Sequence, residues 1–251
     1  MVIFTCEPSF EAMMTCIYDA WDARLGHDNI RLMVEPVLEP ELFAQYRHID
    51  PDHEKAAKVV RSIQKKISAY AYRCVYAAAM SFREDRLDII YRFLIYGFHF
   101  GKPAMDMLGI SQIAALFELS RKVQNEAHYF REFTRFSYIP PSIYFAVIEP
   151  KCNVLTLLAP HFEDRMPSES FLIADRNRLL AAVHPADEDY YLTPLTQEEF
   201  SQMEEAASNS DPYASLWKSF FQAIGIKERR NPKCQRTLLP LWYRKHMTEF
   251  Q

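Results

Sequence analysis

The chain has 251 residues, 49% of them hydrophobic, 14% aromatic and 25% charged, with a net charge of −4; this is the composition of a folded globular protein and excludes a disordered one. Only five glycines occur (Gly26, Gly97, Gly101, Gly109, Gly225), no two of them close together. That excludes the glycine-rich phosphate loops of Rossmann, Walker-A and kinase-type sites, whose backbone N–H groups must approach the anion.

In chain order, residues 2–6 (VIFTC) read as a short strand. Ser9 is placed to cap a helix whose apolar stripe is Phe10, Met13, Met14, Ile17, Trp21 and Leu25. Ile30 to Val34 reads as a second strand. Asp50-Pro51-Asp52 predicts a helix start, with Asp50 as cap and Pro51 in the first turn; Val59, Val60, Ile63, Ile67, Cys74 and Val75 carry that helix to about Met80. Further helices are expected over about Glu84–Phe98 and Ser111–Phe136. After Pro140-Pro141 the pattern changes: Ile143–Ile148, Val154–Leu158, Phe171–Ala174 and Leu179–Val183 are short apolar runs separated by turn residues. They predict an antiparallel meander, with at most a helical turn at His161–Arg165. Helix resumes near Thr196, and Asp211-Pro212 predicts the start of a last apolar helix ending at Gly225. The expected fold class is α+β: a mainly helical N-terminal part (about 1–136) and a C-terminal antiparallel meander flanked by helices (about 140–251). With no internal repeat and no low-complexity linker, 1–251 reads as a single interleaved domain.

The charges are unevenly placed. From Leu179 to Trp217 there are eight acidic residues and no Lys or Arg, whereas Lys227, Arg229, Arg230, Lys233, Arg236, Arg244 and Lys245 face only Glu228 between Lys227 and His246. Trp242 and Tyr243 interleave the basic block, the composition of a surface that tracks phosphates and stacks on bases. The alternative is a solvated tail, or one pairing with the acidic block. No uncharged stretch exceeds the 13 residues of Phe136–Ile148, so no membrane helix is expected. The first basic residue is Arg24, so no signal peptide is read and a cytoplasmic location is expected. The five cysteines form no C-x-x-C pair; they read as buried thiols, with no metal and no cofactor expected.

Residues 121–136 (RKVQNEAHYFREFTRF), wound as a helix, put Val123, Ala127, Phe130 and Phe133 on one face. Glu126 falls on its flank, where a carboxylate needs a partner such as Lys122 or a distant arginine. His128, Arg121 and Arg135 fall on the opposite side, too far round to form a dyad with Glu126. Glu149, Asn153, His161, Arg165 and Asp175 sit at strand ends and turns, where groups can gather at a cleft, although Asn153 and Asp175 are also ordinary turn residues. Catalytic candidates are therefore Glu126, His128, Glu149, His161 and Asp175. No zinc-peptidase, deaminase or α/β-hydrolase motif occurs.

Five segments, SFEAMMTCIYDAW, RKVQNEAHYFREFTRF, AVIEPKCNVLTLLAPHFEDR, SFLIADRNR and RRNPKCQRTLLPLWYRKHMTEF, together resemble the bacterial "probable DNA metabolism protein" family, a domain family of unknown function. The resemblance covers nearly the whole chain. It includes Glu126-Ala127-His128, Glu149-Pro150, Pro160-His161-Phe162, Arg165, Asp175, Arg230-Asn231, Lys233, Gln235 and Tyr243 to Lys245. It implies a role in DNA metabolism beside a radical-SAM protein, whose gene typically lies next to that of the family. Some relatives are fused ahead of a uracil-DNA-glycosylase-like module, whereas this chain resembles the stand-alone form. Leu241-Trp242 departs from the more polar residues of relatives. No catalytic residue is implied. The resulting expectation is an accessory protein that binds nucleic acid, DNA above all, through Arg121, Arg135, Arg165, Arg230, Asn231, Lys233, Gln235, Trp242, Tyr243, Arg244 and Lys245. Its alternatives are a protein-binding scaffold for the radical-SAM partner, or an enzyme acting on a modified nucleotide with Glu126, His128, Glu149 and His161 as acid–base groups.

Overall fold

A computed structural model describes residues 1–210 and 213–250. The chain forms two compact units, 1–124 and 125–251, the boundary falling inside one long helix. The predicted α+β class holds, with more strand at the start of the chain than expected.

In the first unit, β1 (Val2–Cys6) and β2 (Ile30–Val34) pair in parallel. A parallel pair needs a crossover, here α1 (Phe10–Asp22). Ser9 starts that helix by accepting the Ala12 N–H at 3.1 Å, and Met13, Met14 and Ile17 are buried beneath it. A third strand, β3 (Gln45–His48), joins the other edge of β1, also in parallel. All four of its residues are exposed, so it has no apolar alternation by which to be read.

The helix expected from Asp50 to Met80 is two helices, α2 (His53–Lys66) and α3 (Ala69–Ala79). Asp52, not Asp50, caps α2, its carboxylate accepting the Lys55 N–H at 3.0 Å. The Asp52 N–H is itself held by Thr15 Oγ1 at 3.0 Å, a tertiary contact that fixes where the helix begins. Ser68 breaks the run by taking an extended conformation and capping α3 through the Ala71 N–H. Then follow α4 (Arg86–Phe100) and α5 (Ser111–Phe133), close to their expected bounds.

The second unit carries a five-stranded sheet in sequence order: β4 (Ser137–Ile139), β5 (Ile143–Ile148), β6 (Ser170–Asp175), β7 (Leu180–His184) and β8 (Tyr191–Pro194). Its pairs are antiparallel except β5–β6, which is parallel. The meander expectation is corrected at that pair. Val154–Leu158 is not a strand but the entry to α6 (Leu155–Arg165), the crossover helix. The apolar run hid a helical period, with Leu155, Leu158, Ala159 and Phe162 all buried on one face. Beyond β8, α7 (Gln197–Ser210) opens with a reciprocal cap in which Thr196 N–H donates to Glu199 and Glu199 N–H to Thr196 Oγ1. Phe200 and Ala207 of α7 pack on Phe145 and Ala174 in one hydrophobic cluster of this unit. The predicted Asp211-Pro212 start lies outside the described residues. Next come α8 (Tyr213–Ala223) and α9 (Pro232–Leu238), and then 3-10 turns at Leu241–Arg244 and Thr248–Phe250.

Candidate functional site

Because β5 and β6 are parallel with Ile148 opposite Asp175, Glu149 and Asp175 emerge at neighbouring C-terminal strand ends. That edge is where parallel sheets concentrate polar chemistry. Glu149, 13% exposed, is the hub. Lys245 Nζ lies 2.7 Å from Oε1, and His246 Nε2 lies 3.0 Å from the same oxygen. Arg176 approaches to 3.5 Å, also pairs with Glu204 of α7, and rests over the Phe200 ring at 5.0 Å. Burial pushes the Glu149 carboxyl up, but hydrogen bonds from Lys245 and His246 outweigh it and hold the group below its ordinary value. Burial pushes His246 down against the opposing pull of Glu149.

The same segment is anchored at three further points. Trp242 Nε1–H donates to the Glu149 carbonyl at 3.1 Å. The Tyr243 ring sits against Tyr129 and Phe130 of α5, at 4.9 and 5.0 Å between centroids, and burial pushes its hydroxyl well above the ordinary tyrosine value. Arg135, just past α5, pairs with the buried Glu249 carboxylate at 2.8 Å, and Trp217 of α8 donates to the other oxygen. Arg244 donates to the Leu239 carbonyl and lies over Phe250. Trp242, Tyr243 and His246 leave a cavity of about 10 Å³ against Glu149, room for one water at most.

The other acid–base candidates make local contacts. Glu126 accepts the backbone N–H groups of Lys151 and Cys152 at 2.7 and 3.0 Å, clasping the turn that enters α6. Lys122 is not its partner; it pairs with Glu118 instead. Asp175 is fully buried, accepts from Asn177 N–H and pairs with Arg178 at 2.8 Å. Burial raises its carboxyl above the ordinary value against the Arg178 charge. His128 is exposed and pairs with Glu132 one turn on. His161 stands apart on α6, pushed down by partial burial and then by the charges of Arg131 and Arg165. Glu126, Glu149 and Asp175 thus surround the 149–152 turn, while the two histidines face other partners.

Among the nucleic-acid candidates, Arg121 and Arg165 are exposed. Asn231 caps α9 by accepting the Cys234 N–H at 3.0 Å. Arg230, Lys233 and Gln235 are exposed around that helix, with Arg229 and Arg236 beside them. Arg229, Arg230, Lys233 and Arg236 have no carboxylate partner among the described residues. Sequence reasoning missed Arg176, Arg178, His246 and Glu249. None of them carried a signal in spacing or composition, since each acts through a partner that the fold supplies. An exposed apolar face was also missed, with Leu216 and Phe220 of α8 and Ile224 just past it 65%, 51% and 57% exposed. Among the described residues no three His, Cys, Asp or Glu side chains are grouped to hold a metal ion, and no helix is long and apolar enough to cross a membrane.

A model of a domain family of unknown function, DUF4130, matches residues 84–249. No curated protein and no solved structure shows a significant match.

Proposed function

The chain belongs to the DUF4130 family, and from that premise we propose that it is a cytoplasmic accessory protein of DNA metabolism that binds nucleic acid and works beside a radical-SAM enzyme. The observation that carries this reading is the exposed set Arg229, Arg230, Lys233 and Arg236 around α9, unpaired among the described residues. Four cations on so short a stretch attract a polyanion locally although the whole chain is acidic. The resemblance of its segments to the "probable DNA metabolism protein" family supports DNA as the polyanion. Free, mostly buried thiols support a reducing compartment. Fluorescence anisotropy on single- and double-stranded DNA tests the reading. Four phosphate contacts give a log–log salt slope of about −3 to −4, and reversing all four charges removes binding. Salt-insensitive binding, or none, overturns it.

The apolar face of α8 favours a second reading, a docking site for the partner enzyme. Exposed Leu216 and Phe220 on one side of a helix are the usual signature of a covered surface. If that is its use, Leu216→Ser with Phe220→Ser abolishes co-purification with the partner and leaves DNA binding intact.

A further inference from the structure

The first unit contains a second concentration of aromatic rings and cations, remote in sequence from the basic C-terminal block. The C-terminal end of α1, one face of α2 and Phe98 of α4 line an open hollow of about 380 Å³, with Tyr18, Trp21, Asp22, Arg24, Lys58 and Lys66 in its wall. That volume falls within the range of small-molecule sites. Trp21 also lines two further hollows of this unit, so its indole is shared by three concave surfaces. Its indole is held edge-on by His27, Tyr91 and Phe98, with centroids 4.8, 5.7 and 5.4 Å away. The ring is therefore fixed before any ligand arrives.

The cations around it have no acidic partner. Lys55, one turn earlier on α2, is paired with Asp19 at 2.7 Å. Lys58 and Lys66, farther along the same face, form no ion pair among the described residues. They lie instead over the rings of Tyr18 and Phe98, each at 5.7 Å. Arg24 is likewise exposed and forms no ion pair among the described residues. Three cations around aromatic walls fit a ligand that is both planar and anionic: the rings stack on the plane, and the cations neutralise the charge. Asp22, also in the wall, supplies a carboxylate acceptor. No glycine nest is needed, since side chains supply every contact, in keeping with a chain that has only five glycines.

We propose that the Trp21 hollow binds a nucleoside monophosphate, its base against Trp21 and Phe98 and its phosphate among Arg24, Lys58 and Lys66. The site is independent of the basic C-terminal block.

Calorimetric titration of the full chain tests this with AMP and dAMP, and with inorganic phosphate, adenosine and a short oligothymidylate as comparators. Saturable binding of AMP or dAMP is expected, at least about tenfold tighter than phosphate or adenosine alone. Lys58→Gln with Lys66→Gln weakens it at least about tenfold without shifting the thermal unfolding midpoint, since both side chains are exposed. The variant reversed at Arg229, Arg230, Lys233 and Arg236 binds the mononucleotide as the parent does, so loss of DNA binding and loss of this site are read separately. No saturable response at ~5 mM nucleotide, equal affinity in the Lys58/Lys66 variant, or binding of the oligonucleotide alone overturns the proposal.

Discussion

Lys245 Nζ lies 2.7 Å from Glu149 Oε1, joining residues 96 apart in the chain. The contact fastens a basic segment to the end of a parallel strand, at a carboxylate that is 13% exposed. A group so placed is strongly stabilised by its partners and costly once they are lost. Glu149→Gln keeps the shape and removes the charge from Lys245, His246 and Arg176. We expect it to lower stability by about 1–3 kcal/mol in urea unfolding. Lys245→Met, which leaves His246 and Arg176 in place, costs less.

The docked segment loosens on acidification. His246 titrates below the ordinary histidine value because burial disfavours its charged form. A depressed folded-state value gives stability that is complete above the unfolded value and drains away as pH falls below it. Glu149 is also depressed and adds a second loss at lower pH. Trp242 emission, followed in a Trp21→Phe and Trp217→Phe background, therefore changes in two steps, the first below ~6.5 and the second below ~4.3. In a His246→Gln variant the upper step is absent.

The Glu126 clasp separates charge from geometry. Its two oxygens accept from Lys151 and Cys152 N–H. Glu126→Gln retains one acceptor oxygen and costs about 1 kcal/mol, while Glu126→Ala orphans both donors and costs about 2–4 kcal/mol. Comparing the two unfolding curves checks the order. If a catalytic role existed, the Gln variant would lose activity with little loss of stability.

A packing test lies in the first unit. A Cβ added at Gly97 would meet Ile67 Cδ1 at 2.5 Å, with Ile67 Cγ1 at 3.5 Å. Gly97→Ala should gain up to about 1 kcal/mol of helix propensity and lose about 1–3 kcal/mol to overpacking. Ile67→Val removes Cδ1. The double variant is then more stable than the two single changes predict, and a thermodynamic cycle measures that coupling.

Much of the fold was legible because it rests on local chemistry. Ser9, the apolar spacing of α1 and the strand Ile143–Ile148 each carry their own signal. Two of the misreadings share a cause, that tertiary contacts chose between local options. Thr15 selected Asp52 as the cap, and a crossover turned Val154–Leu158 into helix. The edge strand Gln45–His48 is exposed throughout and left no trace. For the site, the basic composition of 227–246 was visible. The division of its cations, Lys245 and Arg244 engaged internally and the α9 group free, depends on long-range partners such as Glu149 and could not be read from spacing.

That division makes the Glu149 carboxylate a tethered competitor. The fold holds it 2.7 Å from Lys245 Nζ, so it competes for that cation as an intramolecular ligand. On the proposed reading a phosphate must outcompete it before it gains that cation, whereas the α9 group has no carboxylate partner among the described residues. If the chain binds a polyanion as proposed, the docked segment sets a threshold on it: weak ligands engage only the α9 group, and only strong or acid-assisted ones recruit Lys245. The apparent number of phosphate contacts should thus be larger at low pH than at neutral pH, an excess that Glu149→Gln abolishes.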